Sequence, residues 1–132
     1  MANFEITLRD DVRLVRVTVK GNLDKTAVLE IPANARALSN KYGYNVLYDL
    51  RESRLQVDLP AVLADPRNII AEKKDPGARS ARVACLVKPG PDFEAWLASE
   101  DVLQGMYFPV LVFTHEEQAL DWLFASTPGD AR

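Results

Sequence analysis

Apolar and polar residues alternate over most of the first twenty positions. Phe4, Ile6 and Leu8 are separated by Glu5, Thr7 and Arg9, and Val15, Val17 and Val19 by Arg16 and Thr18. A period of two predicts two half-buried strands. Asp10-Asp11 between them is a short polar turn, so the pair reads as an antiparallel hairpin ended by Gly21-Asn22. The period then lengthens. Val28, Ile31, Ala35 and Leu38 fall on one helical face, Asp24 stands where a helix cap belongs, and Leu23 and Val28 have the spacing of a hydrophobic staple. Pro32 predicts a kink or a second segment, and Gly43 a C-terminal cap.

Residues 45–50 read as a buried strand, followed by a polar loop over 51–54. Asp58 can cap a short helix running through Leu63. A second short helix is expected over 67–74, with a loop at 73–77. Residues 81–87 are apolar apart from Arg82, and Lys88-Pro89-Gly90-Pro91 ends that strand. Asp92 is expected to cap a helix whose Phe93, Trp96, Leu97 and Leu103 face the core and which Gly105 ends. Residues 108–113 form a last strand. Thr114-His115-Glu116-Glu117 has the form of a capping box, and Ala119, Leu120, Leu123 and Phe124 the stripe of a final helix.

The order is strand, strand, then helix and strand in alternation to a closing helix. This predicts an α/β domain spanning residues 1–132, ordered over about 3–125, with a frayed tail at 126–132. Its sheet has five mixed strands: an antiparallel hairpin, then parallel strands. Crossovers between parallel strands are almost always right-handed, so sequential strands place the crossover helices mainly on one face. The last three strands are nonetheless apolar on both sides, as in Val46 and Tyr48 against Leu47, or Ala84 and Leu86 against Cys85 and Val87. A partner subunit, an apolar ligand, or loops and twist must cover the second face.

Composition narrows the function classes. The chain has 132 residues, 48% hydrophobic and 27% charged, enough for one real core. The net charge of −3 gives no reason to expect nucleic acid or an anionic membrane as partner. The single cysteine, Cys85, rules out an intrachain disulfide and suits a cytoplasmic location. No basic and apolar leader opens the chain, and no apolar run approaches the ~20 residues of a membrane helix.

Candidate chemistry gathers where parallel strands end, the usual ligand position in open α/β sheets. Arg51, Ser53 and Arg54 follow the third strand, Lys88 and Gly90 the fourth, Thr114 and His115 the fifth. These could receive a carboxylate or phosphate, or they could be a solvated loop edge. Asp49 is a charge inside an apolar strand and needs a partner. Arg51, two residues on, is the nearest candidate, and the carboxylate could also fix its own loop through backbone N–H groups. His115 alone cannot build a histidine metal site, and no Cys or His stands at ligand spacing. Cys85 and both tryptophans read as core. No nucleotide, hydrolase or metalloprotease motif appears, so no cofactor, metal or catalytic residue is assigned; an enzyme would need Asp49, Ser53, Arg54 or His115 to converge on one point.

The stretch VLYDLRES, the strand RVACLV and the closing VFTHEEQALDWL resemble the SpoIIAA-like, or STAS-like, proteins, in particular small stand-alone STAS/SEC14-type members. The resemblance implies a (βα) superhelical sheet and a regulatory module that binds a protein partner or itself. The SEC14-like side of the family implies instead a carrier or sensor of a small apolar or anionic, lipid-like ligand. Anti-sigma-factor antagonists of this type carry a phosphorylatable Ser or Thr in an Asp-Ser-Gly-like loop. Here that loop is Arg51-Glu52-Ser53-Arg54, with one hydroxyl and no glycine, so recognition by charge fits it better than a phosphoswitch at Ser53.

Overall fold

A computed structural model describes residues 3–65, 82–106 and 110–124. The elements are β1 (Asn3–Arg9), β2 (Leu14–Leu23), α1 (Lys25–Tyr42), β3 (Asn45–Leu55), α2 (Leu59–Ala64), β4 (Val83–Leu86), α3 (Pro91–Met106), β5 (Val110–Phe113) and α4 (Glu116–Phe124). The strands lie in sequential order in one sheet, β1 antiparallel to β2 and the rest parallel. The short helix expected at 67–74, the loop at 73–77, the outer ends of the fourth and fifth strands, the tail at 126–132 and the Leu103 side chain lie outside the described residues.

Alternation sets the sheet's first face. Val15, Val17 and Val19 of β2, Val46 and Leu50 of β3, Val83 and Cys85 of β4, and Val110 and Val112 of β5 all point to it and are buried. Three helices cover them through Val28, Ile31 and Ala35 of α1, Leu59 and Leu63 of α2, and Phe93 and Trp96 of α3. Each buried aliphatic contributes about 1.5–3 kcal/mol, and a one-residue slip would forfeit them together, so the register is firmly set.

The caps follow local chemistry. The Asp24 carboxylate accepts the Ala27 N–H at 2.8 Å, and Leu23 and Val28 are buried in one cluster. α1 runs through Pro32 as one helix, and Gly43 ends it at φ 70° with its N–H donated to Ser39. The Asp58 carboxylate accepts from the Ala61 N–H. Two expected caps are displaced. Pro91, whose missing N–H costs nothing at a first helical position, begins α3, and the Gly90 carbonyl accepts the first bond, from the Glu94 N–H. Asp92 is therefore free to accept the Leu55 N–H at 3.0 Å, tying α3 to the end of β3. The first bond of α4 likewise runs from Ala119 N–H to the His115 carbonyl, one residue after the expected cap at Thr114. α3 continues past Gly105, and Leu97 is turned to solvent.

The second face needs no ligand or partner to cover its apolar half. α4 packs Ala119, Trp122 and Leu123 against Leu14, Leu47, Ala84, Leu86 and Phe113. Among the described residues α4 leads into no further strand, so the handedness that holds α1–α3 to one side does not act on it. Ala119, Leu123 and Trp122 are buried as expected, whereas Phe124, expected in the same stripe, is exposed. Arg82 donates to the Trp122 carbonyl (2.7 Å) and Asn45 to the Leu123 carbonyl (2.8 Å), satisfying the last turn of α4.

The buried Glu100 of α3 accepts the Val112 N–H at 2.9 Å. Glu100→Ala would leave that donor without its carboxylate, and we expect a loss of about 1–3 kcal/mol in denaturant unfolding, largely restored by Glu100→Gln. Among the described residues no helix is long and apolar enough to cross a membrane.

Candidate functional site

The residues expected to form a loop after β3 are strand instead. β2 and β3 pair on past the ends of β4 and β5, through Lys20 with Glu52 to Leu23 with Leu55. The register shifts between Thr18, opposite Asp49, and Lys20, opposite Glu52, so β3 carries one extra residue there. Such a bulge re-aims a side chain. Beside it Arg51, two residues on from Asp49, lies over that carboxylate. The guanidinium makes a two-pronged contact, Nε to Oδ1 at 2.9 Å and Nη2 to Oδ2 at 2.8 Å, and the Arg51 N–H also reaches Oδ1 at 3.3 Å. Both expected roles of Asp49, pairing with Arg51 and holding its own backbone, are present together.

Two residues that sequence reading did not single out complete the cluster. Arg16 of β2 donates through Nη2 to Asp49 (3.0 Å) and to Glu116 of α4 (2.7 Å). Glu116 also lies 3.5 Å from Arg51. Two cations and two anions thus join β2, β3 and α4 on the second face. The Asp49 side chain is 12% exposed, Glu116 38% and Arg51 43%, so the cluster has a buried foot and an open rim. Hydrogen bonding from Arg51 holds the Asp49 carboxyl below the usual carboxylate range, against the opposing effect of burial, and raises Arg51 in return. Asp49 is a fixed anion near neutrality. The sequence signal for Arg16 was weak: one arginine in a strand whose polar positions were expected to face solvent.

The remaining candidates stay apart from this cluster. Ser53 donates to the Leu50 carbonyl at 2.8 Å, within the bulge. Arg54 is exposed on the strand extension. Lys88 and Gly90 occupy the exposed turn after β4, where Gly90 adopts φ 138°, a conformation that L side chains rarely reach. Thr114 is half-buried and His115 exposed, between β5 and α4. Cys85 is buried on the first face, and burial pushes its thiol up to about 12. Among the described residues no group of three or more His, Cys, Asp or Glu side chains could hold a metal ion.

No protein-family model matches the chain, and no curated protein does. The chain is similar to several solved structures, two of which follow. One is an anti-sigma factor antagonist from Mycobacterium paratuberculosis, 16% identical, with a TM-score of 0.54 over 95% of this chain and 96% of that one. The other is an uncharacterized DUF3478-family protein with a SpoIIAA-like fold from Shewanella loihica PV-4, 19% identical, with a TM-score of 0.49 over 92% and 93%. At such identities the likeness is one of fold. The chain has the SpoIIAA-like, STAS-type α/β fold, in agreement with its sequence resemblance.

Proposed function

We propose that the protein is a non-catalytic regulatory module that binds a partner protein through the open half of its second sheet face. The observation that carries this reading is the Arg16–Asp49–Arg51–Glu116 cluster. It stands where the α4-covered half of the face meets the uncovered half, and it holds the half-exposed Arg51 and Glu116 in a set geometry. Pre-organised charges of both signs give orientation and specificity to a protein interface. Lys20 and Glu52, paired at 3.4 Å, and Arg54 continue the pattern along the strand extension. Alternating signs suit a protein surface. A phosphate backbone would call for one sign, and the net charge of −3 agrees.

The reactive side chains support the same reading. A general base works best with a pKa near the operating pH, whereas Asp49 is held as a stable anion. A nucleophilic cysteine sits in a partly exposed, electropositive place, whereas Cys85 is buried as a thiol. One protein of similar fold is named an anti-sigma factor antagonist. A shared fold does not transfer function, so the weight rests on the surface.

Quantitative affinity capture from a host lysate, comparing wild type with the exposed double variant Lys20→Glu/Arg54→Glu, tests the reading. One or more proteins should be enriched by wild type and lost with the variant, while circular dichroism and melting stay unchanged. An identical captured set for both chains would overturn it.

A further inference from the structure

The two edges of the sheet are finished differently. At the β5 edge, Glu100 takes up the Val112 N–H. At the other edge, β1 has no described strand beyond it. Natural edge strands are commonly shortened, bulged or broken by proline. β1 is seven residues long, has no proline, and keeps unbroken register with β2. The Arg9 carbonyl turns inward, accepting the Val12 N–H of the hairpin turn at 3.3 Å. Because successive carbonyls alternate in direction, those of Leu8, Ile6 and Phe4 face outward along the edge.

The side chains of β1 are complementary to a second copy of themselves. We propose that β1 pairs antiparallel with β1 of another copy of this chain, about a two-fold axis through Thr7, joining two five-stranded sheets into one. Glu5 then stands opposite Arg9 of the second copy, and symmetry makes this ion pair twice. Ile6 stands opposite Leu8, also twice, on the face that α1 covers, and the two residues share the outward hydrogen-bonding sense that antiparallel partners must share. Phe4, which is 41% exposed, gains cover from the same Leu8. Centring the axis on Ile6 instead would oppose Glu5 to Thr7 and bring the two Glu5 side chains into diagonal contact. Within one chain Arg9 already holds Asp11 at 3.0 Å, and its five donors allow it to meet Glu5 as well. This inference does not depend on the partner face proposed above, whose residues lie on β2, β3 and α4.

Sedimentation equilibrium over roughly 5–300 µM tests it, a range suited to the weak association of a small interface. Wild type should form a reversible dimer. Glu5→Arg and Arg9→Glu should each weaken dimerisation at least about tenfold, since like charges then oppose one another. Glu5→Arg is the cleaner single variant, because Arg9→Glu also loses Asp11. An equimolar mixture of the two single variants should associate again, as should the double variant. Circular dichroism checks that each is folded. A wild type that stays monomeric throughout overturns the proposal and leaves the edge to a segment of some other protein. A dimer indifferent to both single variants, or one that the charge exchange fails to restore, overturns it by placing the contact elsewhere.

Discussion

Replacing Trp122 by alanine is expected to destabilise the protein by about 3–5 kcal/mol, a large share of the roughly 5–15 kcal/mol that holds a domain of this size together. Three losses combine. The indole packs on Phe113 with ring centroids 5.9 Å apart, lies beneath the Arg82 guanidinium at 5.8 Å, and fills the layer between α4 and the sheet. Without it, Leu47, Leu86 and Phe113 lose their cover. Denaturant unfolding should show the lower stability, and binding of a hydrophobic dye to the folded variant should show the bared face. Phe124→Ala, two residues on, is the control. That ring is exposed, so its removal should cost under about 0.5 kcal/mol. Equal effects at the two positions would mean that α4 does not pack as described.

Asp49→Asn should cost about 1–2 kcal/mol near neutral pH. The amide keeps the shape but cannot take the paired bonds of Arg51 together with that of Arg16, and both guanidinium groups lose their common anion. Arg51 is half exposed, so solvent screens part of the interaction and the figure stays at the low end for a charged cluster. The pH dependence has a definite sign. Folding lowers the Asp49 pKa from its ordinary 3.8, so its stabilisation is complete above that value and is lost as pH falls through the lower, folded value. Wild type should therefore lose stability in acid more steeply than Asp49→Asn below about pH 4, and the two curves should converge there. Melting temperatures measured across the acid range check this. Parallel curves would mean that Asp49 titrates normally in the folded chain.

The two sites also show how far the sequence could be read. Alternation in β1 and β2, the capping carboxylates Asp24 and Asp58, and the stop at Gly43 are local patterns, and each element they announce is present. The antiparallel hairpin followed from the short turn, and the common side of the crossover helices from handedness, given the sequential strand order that the structure shows. The polar loop expected at 51–54 failed for a non-local reason. Those residues extend β3 because Lys20–Leu23 of β2 offers them a partner, and no pattern within 51–54 reports that partner. Phe124 faces solvent although its spacing placed it in the buried stripe, because a nine-residue helix with apolar residues on several sides cannot bury them all, and the sheet beneath it decides which turn inward.

The sequence by itself determined the fold class, the face on which α1–α3 lie, and the presence of an anomalous charge at Asp49. These rest on period, handedness and the cost of burying a charge, which act over a few residues or through the chirality of the chain. The pairing of that charge with Arg51 followed from the two-residue spacing. Only the tertiary structure added the rest: β2 brings in Arg16, and Glu116 arrives from a helix one hundred positions away from Arg16 along the chain. The placement of α4 also waited on the tertiary structure. α4 joins no two described strands of the sheet, so the crossover rule does not act on it, and it settles where exposed apolar area remains to be covered.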